Sequence, residues 1–499
     1  MNRTFSSKYL ISILLVIDLV FCIIRFININ ADFPSGITTS GVLYTDEGNY
    51  AASAIRHYLT GSWYLNGDLN FAVTQPGNQV LERISFAIFG LSLFSARIVV
   101  AIFFLLFVVI LALWVRKHYG NPAALLTILV LSTNFYAFAY SRLALRFLIA
   151  LFFIVASLFV ADHQKNPHPL FRIALASFLF SFAVLTYTPA SFALPLLLFI
   201  AWKNGTTVKN KLFFTLAFSL LIIIVLGIYY YFMLRSFPAD ISMLSHVISS
   251  SFISSFAEWL RNLYDKVILG IKNLGADFTI ATILLCGFAF FTSYQFRTNK
   301  LVQILIAYTI IYIAVLSIDK YGPPRYYLML LAPSAALCAI AAVSTNSWFK
   351  DHNLVKFAFI PMLLLAFISI HGSWKIITYL SKPEYSFYQM ANGVKNIIQS
   401  QVGTTRGVIL FGDIADSVSL EIGTDALNTD LWLIDTAVAR MEKYHPSYLI
   451  VHTSNIDQIA VSLGAKVTEL GRWDVFNNYY ANGEQVRLDY VTWPVNNGP

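Results

Sequence analysis

Long apolar runs alternate with short polar stretches along most of the chain. Runs such as YLISILLVIDLVFCIIRF, IVVAIFFLLFVVILALWV and FFTLAFSLLIIIVLGIYYYFM are long enough to cross ~30 Å of hydrocarbon as helices. The pattern predicts spans near 9–28, 94–115, 121–140, 143–161, 170–186, 189–202, 211–233, 278–295, 300–318, 326–344 and 355–372, about eleven in all. The first run is too long for a cleavable signal peptide and has no small-residue cleavage site before Asn28. From about 373 onward the pattern becomes that of a soluble domain. GVILFGD and PSYLIVHT read as short buried strands, and YQMANGVKNIIQ and DTAVARMEKY carry helical periodicity. The expected fold is a polytopic α-helical membrane protein, residues 1–372, followed by a small α/β domain, residues 373–499.

Composition excludes a soluble chain. Of 499 residues, 57% are apolar and 12% charged, and the apolar ones are spread too evenly for one soluble core. The net charge of +8 sits in short loops, so it reports topology and not nucleic-acid binding. With Arg3 and Lys8 inside, alternate loops carry Arg116 and Lys117, Lys165, Lys203, Lys209 and Lys211, Arg297 and Lys300, and Lys350 and Lys356. That pattern predicts a multi-pass protein of the plasma (inner) membrane, N-terminus cytoplasmic and 373–499 extracytoplasmic. The loop 29–93 and the segment 234–277 then face outward as well. Cys22, Cys286 and Cys338 all lie in apolar runs and read as small buried hydrophobes.

Carboxylates are scarce, so the adjacent Asp46 and Glu47 in the first outer loop stand out. The stretch after them, GNYAASAIRHYLTG, has helical spacing with Gly61 as a stop, and NQVLERISFAIFGLS repeats the amphipathic pattern. Both read as interfacial helices on the membrane surface. Acidic residues at a helix start are favoured by the dipole, which competes with a catalytic role for the pair. Within the spans, Asp18 and Arg25 share a helix face; Arg25 is placed to snorkel outward, and Asp18 needs a protein partner.

The acidic pair after the first span, then YAASAIRHYLTGSW, then FGLSLFSARIVVAIF, resembles the GT-C glycosyltransferases. More narrowly, it resembles the protein-mannosyltransferase-like branch (glycosyltransferase family 39-like) that includes the lipid A aminoarabinose transferases. PPRYYLMLLAPSAAL is similar to that branch's late Arg-Tyr motif. The resemblance covers residues 1 to about 372. It implies transfer of a hexosyl or pentosyl unit from a polyprenyl-phosphate donor, by direct inverting displacement, to a protein, lipid or glycan acceptor on the outer face. It implies Asp46 as base, with Glu47 orienting the acceptor or a metal. Arg325 with Tyr326 is implied as the donor-phosphate clamp, against a snorkelling arginine as the plain alternative, with Lys320 nearby.

Two departures qualify this. Relatives commonly carry an acid where YSRLALRFLIAL has Phe147 beside Arg146, so Arg142 and Arg146 become candidate phosphate contacts. TQPGNQ stands where relatives often have His-Pro-Pro. Whether Asp46 binds a divalent metal stays open, and no zinc or EF-hand pattern is present; His57 and His246 are lone histidines. The rival functions are a multi-span transporter or flippase of an envelope lipid or glycan, which would use Asp18 as a relay, and a non-catalytic assembly protein. No inverted repeat or paired broken span favours the transporter.

Overall fold

The computed structural model describes residues 2–34, 43–65, 70–163, 169–237, 255–320, 323–428, 434–452, 455–475 and 484–494. His246 lies outside them. The chain packs as two units, one of residues 1–27, 100–142 and 146–381, the other of 28–99, 143–145 and 382–499. The hydropathy pattern divides the sequence near 372; packing groups residues 28–99 with the tail.

The first unit is a bundle of apolar helices, and each of the eleven expected runs is helical. In chain order the helices of this unit are α1 (Asn2–Ile23), the greater part of α5 (Leu93–Thr133), α6 (Phe135–Tyr140), α7 (Arg146–Asp162), α8 (Pro169–Thr186), α9 (Leu194–Asn204), α10 (Val208–Ser236), α11 (Phe256–Asn273) within the segment 234–277, α12 (Ala276–Thr292), α13 (Tyr294–Thr298), α14 (Lys300–Leu316), α15 (Leu331–Asp351) and α16 (Ile360–Ser381). Only five helices among the described residues are long and apolar enough to cross a membrane, or six if the α11–α12 pair, bent by 110°, counts as one. Part of the shortfall from eleven has a local cause. α7 and α14 are 17 residues each, and α9 gains length only through the 3-10 turn Thr188–Ala193 before it. Two expected spans fuse across Gly120, whose φ of 77° breaks α5 into two arms. The last span also runs past its expected end at 372, to Ser381.

Arg25 does not snorkel. It is fully buried over the Phe104 ring, and its guanidinium donates to the carbonyls of Leu131, Ser132 and Ala137 and to Ser141 Oγ. It thereby satisfies carbonyls at the ends of α5 and α6. Ser132 Oγ in turn donates to Asp18, the protein partner that this buried carboxylate required.

At the opposite end of α7, buried Asp162 gathers three basic side chains. Lys300 Nζ reaches Oδ1 at 2.7 Å, while His118 Nε2 and Lys117 Nζ reach Oδ2 at 2.7 and 3.0 Å. Trp114 Nε1 donates to Oδ2 as well. α5, α7 and α14 are thus tied at one point.

The second unit holds α2 (Leu43–Thr60), α3 (Phe71–Thr74), α4 (Pro76–Phe89), the first turns of α5, and an α/β tail. The tail contains α17 (Ser386–Val402), β1 (Ile409–Gly412), α18 (Ala415–Ile422), β2 (Asp425–Asn428), α19 (Ile434–Tyr444), β3 (Tyr448–Val451), α20 (Ile456–Ser462), β4 (Lys466–Val475) and β5 (Glu484–Thr492). The sheet order is β2-β1-β3-β5-β4, parallel across the first three strands and antiparallel beyond. β1 and β3 are almost wholly apolar and buried, as parallel strands covered on both faces must be. Phe411, Leu427, Met441, Leu449 and Ile456 form the core on one side of them.

The two loop helices differ. α4 leaves Val80, Ile84 and Ile88 exposed one turn apart, as a membrane-surface helix requires. α2 has no such stripe: Ala51, Ala54 and Ile55 are buried, and the helix packs on α4 and α18. Its amphipathic face is covered by protein, which a period of 3.6 residues cannot distinguish from lipid.

Candidate active site

Asp46 lies in the first turn of α2 with Glu47 next to it, and both are buried. The helix stops at Gly61, where φ is 80° and the N–H donates to His57 O. Several contacts fix the start of α2. Arg97 donates from Nε to Glu47 Oε1 at 2.8 Å and from Nη2 to Oε2 at 2.7 Å. The Ala144 N–H adds a 2.7 Å bond to Oε1. Next along, Gly48 N–H donates to Ser417 Oγ at 3.1 Å, where α2 approaches α18 so closely that a Cβ on Gly48 would lie 2.1 Å from Ser417 N. Only glycine fits there.

A further contact comes from TQPGNQ. Gln79 accepts from Ala54 N–H at 2.9 Å and donates to the Tyr50 carbonyl, so one side-chain amide bridges both groups of a turn of α2. Asn78 donates to the same carbonyl. In place of the expected His-Pro-Pro, this chain has an amide clamp on the helix that carries Asp46.

Other groups of this unit are structural in the same sense. Asp32 accepts from Ser386 N–H and Oγ and from Phe387 N–H, capping α17 from a distant part of the chain. Glu421 accepts the Leu93 N–H at the start of α5; burial raises its carboxyl's pKa, against the pull of that bond, Lys395 and Arg97. His57 stacks on Trp63 with ring centroids 4.1 Å apart and accepts from Arg83 Nε. Burial, then the Arg83 charge, lowers its pKa.

The candidate phosphate residues belong to the membrane unit. Phe147 is fully buried, its ring 4.9 Å from that of Tyr187 and 5.6 Å from that of Tyr326. The Arg146 guanidinium lies 5.7 Å over Tyr187, and the Arg325 guanidinium 5.7 Å over Tyr326. Tyr312 Oη donates to the Tyr326 carbonyl at 2.7 Å, holding the 3-10 turn Pro324–Leu330. Two motifs far apart in sequence, Arg146-Phe147 and Arg325-Tyr326, therefore meet in one aromatic cluster. The ring in place of the expected acid is the packing element that joins them.

Arg142 and Lys320 are placed differently. Arg142 is buried and donates to the carbonyls of Arg25 and Ile27, beside the rings of Phe138 and Tyr379. Lys320 is exposed, and its carbonyl faces Lys266 Nζ of α11 at 3.5 Å. Lys266 is a buried cation that sequence reasoning passed over, because a lysine in an amphipathic helix reads as a solvated one. Among the described residues no group of three or more His, Cys, Asp or Glu side chains could hold a metal ion.

Residues 76–231 match the family model for dolichyl-phosphate-mannose-protein mannosyltransferases. A comparison with curated proteins finds no match. Among solved structures, the fold is similar to ArnT from Cupriavidus metallidurans bound to undecaprenyl phosphate. That match has 12% identity, 99% of each chain covered and a TM-score of 0.67. It is also similar to the archaeal oligosaccharyltransferase AglB from Archaeoglobus fulgidus, in complex with an inhibitory peptide and a dolichol-phosphate. There the identity is 13%, with 89% of this chain and 70% of that one covered and a TM-score of 0.55. The chain therefore shares its fold with these two membrane enzymes, and residues 76–231 carry the match to the dolichyl-phosphate-mannose-protein mannosyltransferase model.

Proposed function

We propose that the chain moves a sugar from a polyprenyl-phosphate donor to an acceptor on the extracytoplasmic face of the plasma (inner) membrane. In this reading the N-terminus is cytoplasmic and residues 373–499 lie outside. Asp46 takes the proton of an acceptor hydroxyl as its oxygen attacks the anomeric carbon. The bond from that carbon to the lipid phosphate breaks, its electron pair leaving on the phosphate oxygen, and the configuration inverts. Arg325 and Arg146 stabilise the growing negative charge, with Tyr326 orienting Arg325 and Lys320 a more exposed partner. Glu47 holds the Asp46 turn through Arg97. Arg142 contributes by fixing the backbone after α1, since its donors go to carbonyls.

The observation that supports this most is the convergence of Arg146 and Arg325 on adjoining tyrosine rings. Two guanidiniums fixed on one aromatic cluster suit a bound lipid phosphate. ArnT, similar in fold, is described bound to such a lipid phosphate. The test is transfer from a polyprenyl-phosphate sugar by the purified chain in proteoliposomes. Transfer lost in Asp46→Asn supports the enzyme; lipid or glycan flux without transfer, lost in Asp18→Asn, supports the transporter instead.

A further inference from the structure

The second unit contains a cavity of about 220 Å³, lined by the outer half of α2, the turn before it reaches α3, and the β1–β2 edge of the sheet. Its polar lining includes Arg56, Tyr64, Asp416, Thr424, Asp425 and Tyr444. We propose that this cavity is an acceptor subsite that holds one ring of a neutral, hydroxyl-rich saccharide. The proposal rests on the transferase reading and names the acceptor class for it.

Position is the first argument. Ala52 and Arg56, which line the cavity, follow Asp46 by six and ten residues on the same helix, about 9 and 15 Å along its axis. Asp416 is adjacent to Ser417, the residue that accepts the Gly48 N–H. The cavity wall is therefore continuous with the turn that carries Asp46, and an acceptor seated here reaches that turn only if it extends beyond one ring.

Chemistry is the second. Two carboxylates and one guanidinium line the cavity, so its charged lining is net negative and disfavours a phosphate or another anion. Arg56 is itself held, donating from Nη1 to Asn70 Oδ1 at 3.0 Å, which fixes the guanidinium. Carboxylates and a guanidinium pair with vicinal hydroxyls, while Ile55 and Leu427 offer an apolar surface for the C–H face of a ring. The Thr424 hydroxyl is buried with no hydrogen-bond partner among the described residues, an open polar position in the lining. Burial raises the Asp425 pKa, against the pull of Arg56. The volume is below the ~300–1,000 Å³ of pockets for drug-sized ligands and suits a single ring.

Saturation-transfer NMR on the purified full chain in detergent tests this directly, with neutral methyl glycosides (gluco, manno, galacto and N-acetylgluco forms) as probes and inorganic phosphate as competitor. At least one glycoside should give a signal that phosphate leaves unchanged. Ala426→Trp, which fills the cavity, should abolish the signal, and Asp425→Asn should weaken binding about tenfold while the melting temperature holds. Absence of signal from every glycoside, competition by phosphate, or a signal that survives both substitutions would overturn the assignment. Binding is read without turnover, so a negative result here stands apart from failure of the transferase reading. Conversely, undecaprenyl phosphate should bind Ala426→Trp as it binds the unaltered protein, and a loss there would also count against a separate acceptor site.

Discussion

Arg97 clasps Glu47 with two parallel hydrogen bonds and uses its remaining Nη1 to hold the carbonyls of Ile29 and Ala31 at 2.8 and 2.9 Å. Both side chains are about 3% exposed, so neither charge has water to fall back on. One arginine therefore ties the backbone of residues 29–31 to the turn that carries Asp46.

The size of that tie separates two readings of Glu47. A helix-start charge is worth roughly 0.3–1 kcal/mol, whereas breaking a buried ion pair by removing one partner costs roughly 3–5 kcal/mol. Glu47→Ala should show the larger loss in thermal unfolding of the detergent-solubilised protein. Replacing both residues, as Glu47→Leu with Arg97→Met, should recover part of it; equal or greater damage in the double variant would refute the ion-pair account.

Gly48→Ala should uncouple α2 from α18. The added methyl group meets Ser417 backbone at 2.1 Å, and backbone on both sides must move. Limited proteolysis should then cut the second unit faster, by tenfold or more if the cost exceeds about 1.4 kcal/mol. Unchanged proteolysis would mean that the two helices separate without penalty.

The arginines should fail in two different ways. Arg325→Ala and Arg146→Ala remove charge-assisted contacts worth roughly 1.5–3 kcal/mol each, so undecaprenyl phosphate should bind roughly 10- to 150-fold more weakly at little change in melting temperature. Arg142→Ala should instead lower the melting temperature, because the carbonyls of Arg25 and Ile27 lose their donor. Calorimetric titration beside thermal scans distinguishes the two. A binding loss in Arg142→Ala with stability intact would restore it as a phosphate contact.

Asp162→Ala strands Lys117 and Lys300 beside an uncharged, buried position. Unfolding should become easier by about 3 kcal/mol or more, with His118→Ala milder because a neutral imidazole leaves the carboxylate its two lysines. Equal effects from the two substitutions would contradict the lysine-centred arrangement.

Hydrophobic runs made the membrane helices legible, since backbone groups in hydrocarbon admit little but helix. The strands GVILFGD and PSYLIVHT were legible for the same reason: short buried parallel strands are continuous apolar runs. Helix length was not, because Gly120, the turn at Thr188–Ala193 and the bend between α11 and α12 shorten or fuse runs that hydropathy merely counts. At the candidate site, Asp46 and the Arg325-Tyr326 motif were visible as scarce polar residues among apolar ones. The Arg97–Glu47 pair and the Gln79 clamp were not. Each joins residues 25 to 50 positions apart, and no local period encodes such a partner.

The central claim is that Asp46 supplies the base while the arginines hold the donor, and its most direct test is Asp46→Asn assayed for both steps on one preparation. The side chain keeps its size and loses its basicity. Turnover from a polyprenyl-phosphate sugar should fall by roughly 10²–10⁴ while affinity for undecaprenyl phosphate and the melting temperature stay at the unaltered protein's values. Near-normal turnover accompanied by a lower melting temperature would contradict the account and leave Asp46 a structural helix-start charge.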